Sequence, residues 1–169
     1  MEGGPSERPV RVLFVCLGNI CRSPTAEGVM RSLLEREGMQ ADVRVDSAGT
    51  GAWHVGSPPD PRATAAARTR GIALGGSARQ VRAPDFDDFD LIVAMDRSNQ
   101  RDLLAVAPDG DAREKVRLLR EFDLADVELG ELDVPDPYYG GGEHFEEVLE
   151  IVTSGCEGLL EEIRAGRIP

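Results

Sequence analysis

Val10-Arg-Val-Leu-Phe-Val-Cys16-Leu-Gly-Asn-Ile-Cys-Arg22-Ser23-Pro24 opens as a run of β-branched and aromatic residues and closes on a helix signal. Residues 10–15 predict a strand that ends at Cys16. Pro24 suits the first turn of a helix, Ser23 is placed to cap it and Gly38 to end it, so a helix is expected from about 24 to 37. A strand that turns directly into a helix starts a βαβ unit, and the alternating residues 43–45 supply its second strand.

The same rhythm continues along the chain. Asp60, Pro61 and an alanine-rich stretch closed by Gly71 read as a second helix. Residues 91–95, Leu-Ile-Val-Ala-Met, form a continuous apolar run suited to a strand buried on both faces. A helix is expected over 98–106 and a fourth strand over 116–119. From 143 to 163 the apolar residues, Phe145 and Val148 through Cys156 to Ile163, fall on one helical stripe. Residues 123–142 carry no pattern and read as a long loop. The expected architecture is α/β in a single domain, a parallel sheet with helices on both faces. Residues 1–9 are expected to be a flexible N-terminal tail and 10–166 the folded domain. In such sheets ligands gather at the carboxyl ends of strands, where 16–23, 46–54 and 96–99 concentrate the reactive side chains.

The turn between Cys16 and Ser23 points successive amides into one concavity, and the helix start adds partial positive charge. Such a nest selects an anion. Gly18 and Asn19 tolerate the left-handed backbone a tight cradle needs. The loop lacks the lysine of a nucleotide-binding P-loop and the glycine spacing of a dinucleotide site. It begins instead with a thiol and ends with a guanidinium. The amides and Arg22 favour an anionic sulfur, the nucleophilic form of cysteine. Arg22 can hold two phosphate oxygens in a bidentate fork, and Ser23 can donate to the sulfur when it leaves. A lone cysteine would read as a buried structural residue. The full C-x(5)-R spacing between strand and helix displaces that reading.

Composition narrows the partner. The 169 residues are 41% hydrophobic with a formal net charge of −12. That charge disfavours nucleic acid, and from Glu121 onward 14 acidic residues against two arginines would repel polyanions and anionic membranes. Cys16, Cys21 and Cys156 cannot pair completely, which fits a reducing, cytoplasmic setting, and neither histidine has zinc-like spacing. The first residues hold no signal-peptide core and no apolar run reaches membrane-spanning length. Oligomeric state is open, with a monomer favoured.

These segments resemble the low-molecular-weight protein tyrosine phosphatases. The likeness rests on the Cys16–Ser23 loop and on Ser47-Ala48-Gly49. It extends to Trp53-His-Val-Gly-Ser-Pro-Pro-Asp-Pro-Arg62, Met95-Asp96-Arg-Ser-Asn99 and Asp136-Pro137-Tyr138-Tyr139-Gly140. The resemblance implies a three-layer sandwich around a four-stranded parallel sheet, no metal and no organic cofactor, and hydrolysis of phosphotyrosine in a protein or peptide. By the same resemblance Cys16 is the nucleophile, Arg22 the phosphate clamp and Asp136 the general acid and base. The loop Leu17, Gly18, Asn19, Ile20, Cys21, Arg22 and Ser23 binds phosphate, with Asn19, Ser23 and Ser47 supporting it. Ile20, Trp53, Tyr138 and Tyr139 line the crevice, and Cys21 traps oxidised Cys16 as a disulfide. Pro135 stands where many relatives carry an acidic residue.

Three other readings compete. An arsenate reductase needs further redox cysteines, and after Cys21 only Cys156 remains, on a core stripe. A protein-arginine phosphatase tends to carry threonine where this chain has Ile20. A phosphate-recognition module without catalysis would not need Cys16, Arg22 and Asp136 together.

Overall fold

The computed structural model describes residues 8–168. β1 (Val10–Cys16), β2 (Val43–Gly49), β3 (Leu91–Ala94) and β4 (Val116–Leu118) form one parallel sheet in the order β2-β1-β3-β4. Among the described residues the α-helices are α1 (Arg22–Glu37), α2 (Pro61–Arg68), α3 (Asp85–Asp88), α4 (Arg97–Val106), α5 (Gly110–Glu114), α6 (Leu124–Leu129) and α7 (Gly142–Arg164).

Side-chain alternation on β1 builds both halves of the core. Val12 and Phe14 face α1, α2 and α7, whereas Leu13 and Val15 face the layer holding Phe86 of α3, Leu103 of α4 and Ala112 of α5. All four β1 side chains are fully buried, so each contributes about 1.5–3 kcal/mol of apolar burial. This is the expected three-layer arrangement.

The order of strands positions the site. From β1 the chain crosses through α1 to β2 on one side and later returns to β3 on the other. The carboxyl end of β1 therefore lies at the topological switch point, where a crevice opens. Cys16 pairs with Gly49 in register, and the Val15 carbonyl accepts the Met95 amide at 3.0 Å. Three strand-end loops thus meet beside one sulfur.

Several local expectations change. Helix α1 begins at Arg22, and Cys21 occupies its cap position without a side-chain bond. Ser23 lies inside the first turn, its hydroxyl drawn to Asn19 and Cys16 instead of capping. The stretch 123–142 is not wholly a loop. Asp123 accepts the amides of Ala125 and Asp126 and Gly130 closes α6 with φ 73°, a helix too short to show periodicity in sequence. Of the expected tail, residues 1–7 lie outside the described residues, and Arg8 pairs with Asp90 at 3.0 Å. At the other end Ile168 is buried against the core. Among the described residues no helix is long and apolar enough to cross a membrane.

Candidate active site

The chain between β1 and α1 curls around the Cys16 sulfur. Asn19 adopts φ 58°, the left-handed conformation its short polar side chain tolerates, and this turns its amide back toward the sulfur at 3.3 Å. Gly18 has no positive φ. Its use is space, because a Cβ there would come within 3.0 Å of His54 Cδ2. The Ser23 amide reaches the sulfur at 3.4 Å and the Ser23 hydroxyl at 3.0 Å. An anion at Cys16 therefore meets two amides, a hydroxyl and the positive end of the 16-residue helix α1.

A second layer fixes this curl. Asn19 Nδ2 donates to Ser23 Oγ at 2.9 Å and to Ser47 Oγ at 3.0 Å, and Asn19 Oδ1 accepts the Arg79 amide at 3.0 Å. Ser47 donates onward to Glu27 at 2.7 Å. Gly49 lets β2 pass close, since a Cβ there would sit 2.7 Å from the Leu17 carbonyl oxygen. Asn19, Ser23 and Ser47 thus come together as one buried polar network, and Glu27 is a member that sequence reading did not single out.

Arg22 is buried and held from two sides. Its Nη1 donates to Asp96 at 2.6 Å and to the Val134 carbonyl at 2.9 Å, and its Nη2 lies 3.6 Å from Asp136. Burial alone would lower the guanidinium's pKa. The charge on Cys16, the hydrogen bond and charge of Asp96 and the charge of Asp136 together raise it, so Arg22 stays a cation. Asp96 also caps α4 by accepting the Asn99 amide at 2.7 Å, which makes it an anchor for the arginine.

Above the sulfur opens a cavity of about 410 Å³. Cys16, Gly18, Ile20, Cys21 and Arg22 form its inner part, while Leu17, Trp53, His54, Asp136, Tyr138 and Tyr139 complete the lining. Cys16 is 2% exposed, whereas Trp53 is 75% and Tyr139 96% exposed, so the walls run from a buried floor to an open aromatic rim. Trp53 is not a core residue. His54, to which the sequence assigns no role, lies on the wall with its ring 5.9 Å from that of Tyr138. Asp136 accepts the Tyr138 amide at 3.1 Å and stands half-exposed over Arg22.

The other thiols differ in setting. Burial, then the charges of Asp60, Cys16 and Asp136, push Cys21 up to about 12, with Arg62 opposing. Cys156 is fully buried against α1, and desolvation drives its thiol upward. Among the described residues no cluster of three or more His, Cys, Asp or Glu is grouped to hold a metal ion. The arrangement is suited to a tetrahedral dianion at the sulfur, gripped by Arg22, with a carboxyl group in reach of its outer oxygen.

Residues 11–167 match the family model described as low molecular weight phosphotyrosine protein phosphatase. A low molecular weight protein-tyrosine-phosphatase of Streptomyces coelicolor is 50% identical over 154 residues, 91% of this chain and 93% of that protein. The human low molecular weight phosphotyrosine protein phosphatase is 41% identical, covering 89% of this chain and 94% of its own length. Among solved structures, a protein tyrosine phosphatase from Entamoeba histolytica superposes with a TM-score of 0.88 at 37% identity, over 94% of this chain and 99% of that one. YfkJ from Bacillus subtilis gives 0.85 at 43% identity, over 94% and 96%.

Proposed function

This chain belongs to the low molecular weight phosphotyrosine protein phosphatase family, and from that premise we propose that it hydrolyses protein phosphotyrosine and small aryl phosphates through a phosphocysteine on Cys16. Family membership makes it a phosphoric monoester hydrolase. The observation that carries the mechanism is the setting of the Cys16 sulfur. Two amides and the Ser23 hydroxyl lie within 3.4 Å of it, at the floor of a cavity whose rim holds Asp136.

In the first step the Cys16 thiolate attacks phosphorus in line. The sulfur–phosphorus bond forms as the bond to the tyrosyl oxygen breaks, and the Asp136 carboxyl delivers its proton to that oxygen. Arg22 and the loop amides hold the equatorial oxygens throughout. In the second step Asp136, now a carboxylate, takes a proton from water. The water oxygen bonds to phosphorus, and the electron pair of the breaking bond returns to the sulfur, where Ser23 and the amides receive it. Asn19 and Ser47 keep the cradle in shape. Ile20, Trp53, Tyr138 and Tyr139 supply apolar and aromatic walls for the ring. The three free thiols favour a reducing compartment, the cytoplasm, as its place of work.

Asp136→Asn tests the acid. General acids contribute about 10²–10⁴-fold, so kcat/KM for phenyl phosphate, which reports the leaving-group step and not the shared hydrolysis of the phosphocysteine, should fall by that order. An ester with an acidic leaving group, 2,4-dinitrophenyl phosphate, needs no proton and should lose far less. Equal losses for the two esters would contradict the assignment.

A further inference from the structure

The segment that carries Asp136 is held unequally at its two ends. On the near side the Val134 amide donates to Met95 at 2.8 Å, its carbonyl accepts from Arg22, and Asp133 receives the Arg97 amide at 2.9 Å. On the far side stand three consecutive glycines, Gly140, Gly141 and Gly142, which lend the backbone little stiffness. What crosses to that side is Arg62.

Four contacts converge on this one guanidinium. It pairs with Asp60 at 2.9 Å and donates to the Gly140 carbonyl at 3.3 Å. It lies 5.6 Å from the centre of the Tyr138 ring and 4.7 Å from that of Phe145, in the first turn of α7. Asp60 in turn donates its own amide to the Ile20 carbonyl at 2.8 Å, inside the phosphate-binding loop. A continuous path therefore runs from Ile20 through Asp60 and Arg62 to Tyr138 and Gly140. Tyr138 then gives its amide to the Asp136 carboxylate.

Helix capping does not explain this arrangement. Asp60 caps α2 by accepting the Arg62 amide at 2.7 Å, which needs no guanidinium. The pair with buried Asp60 is open to solvent only on the arginine side, and it asks for no contact with rings or with a glycine carbonyl. The planar fork earns its place through the ring faces and the glycine carbonyl, contacts a lysine cannot make together.

We infer that Arg62 is a positioning residue, which bolts the far end of the Asp136 segment to the phosphate-binding loop and keeps the acid over the leaving oxygen. The inference rests on Asp136 acting as the general acid. Removing the bolt leaves Cys16 and Arg22 in place, so it lowers the fraction of bound substrate with its acid aligned and leaves phosphate binding alone.

The test compares Arg62→Ala, Arg62→Lys, Asp136→Asn and the Arg62→Ala/Asp136→Asn double variant on phenyl phosphate and 2,4-dinitrophenyl phosphate, with inhibition by inorganic phosphate as the binding readout. Arg62→Ala should lower kcat/KM for phenyl phosphate about 10- to 100-fold, part of what a general acid supplies, and only a few-fold for the dinitrophenyl ester, with phosphate inhibition unchanged. It should add nothing further in the Asp136→Asn background. Arg62→Lys should recover only part of the loss. Should the alanine variant not fold, the lysine variant keeps the Asp60 pair, and a smaller, equally leaving-group-selective loss is expected of it. The inference is overturned by a uniform loss across both esters, by weaker phosphate inhibition in step with the lost turnover, by a full additive loss in the double variant, or by a lysine variant equal to wild type. If Asp136→Asn is leaving-group-selective and Arg62→Ala is not, only the role of Arg62 falls. If Asp136→Asn itself shows no selectivity, the acid assignment and this inference fall together.

Discussion

The Ser23 hydroxyl oxygen lies 3.0 Å from the Cys16 sulfur while accepting the Asn19 side-chain amide at 2.9 Å. With Asn19 donating to it, the hydroxyl can turn its own proton to the sulfur, since its alternative acceptor, the Ala48 carbonyl, is farther at 3.4 Å. A hydrogen bond to a charged partner is worth about 1.5–3 kcal/mol. Ser23→Ala should therefore slow departure of the sulfur from phosphorus by roughly 10- to 100-fold. Phosphoenzyme should accumulate, and rapid mixing with p-nitrophenyl phosphate should show a burst of nitrophenol close to one per enzyme. Unchanged steady-state turnover in Ser23→Ala would remove the hydroxyl from the second step.

Redox behaviour follows from the contrast between two thiols that line one cavity. Cys16 is the sulfur surrounded by donors, whereas burial and three neighbouring negative charges push Cys21 up to about 12. Peroxide should oxidise Cys16 first, and the sulfenic acid should then close to a Cys16–Cys21 disulfide with loss of water. Cys21 must give up its proton to attack, and burial with the charges of Asp60 and Asp136 still opposes this after oxidation removes the Cys16 charge, so closure should keep accelerating as pH rises beyond 9, where an ordinary thiol is already mostly ionised. Stopped-flow oxidation followed by mass spectrometry measures this. A closure rate that levels off by about pH 9 would contradict the protonated state of Cys21. Cys21→Ser should make peroxide damage harder to reverse with thiol.

Substrate choice depends on the wall beside the sulfur. Ile20 is buried within the loop and lines the cavity together with Tyr138 and Trp53. An aryl ring gains from those apolar and aromatic faces, and the short stem of phosphoserine does not reach past them. Wild type should prefer phosphotyrosine peptides over phosphoarginine and phosphoserine. Ile20→Thr should narrow the gap with phosphoarginine by tens-fold, as an apolar contact of this size is worth about 1–3 kcal/mol. The comparison is kcat/KM for both substrates in both proteins. A wild type that already favours phosphoarginine would overturn the tyrosine preference.

The parts of this site that are continuous in sequence could be read from it. Cys16, Arg22 and the strand and helix that flank them share one stretch, and the unbroken apolar run from Val12 to Val15 in β1 implies layers on both faces of the sheet. Ser47, Trp53 and Asp136 were reachable only through the family likeness, because nothing in an acidic tail distinguishes one aspartate from the next. What escaped was set by tertiary contact. Arg62 shows no function until Gly140 and Phe145 fold against it, and Glu27 shows none until Ser47 arrives from β2. A trace of Glu27 was available, since it lies four residues after Ser23 on the same face of α1. Helix α6 left no periodic signal in six residues.

Turnover of p-nitrophenyl phosphate by wild type and by Cys16→Ser, with inorganic phosphate binding measured by calorimetry on both, tests the phosphocysteine most directly. A serine hydroxyl is not ionised near neutrality, but the amides of Asn19 and Ser23 and the Arg22 fork remain in place. Turnover should fall to background while phosphate still binds. A Cys16→Ser protein that turns over at a rate comparable to wild type would contradict covalent catalysis on this sulfur.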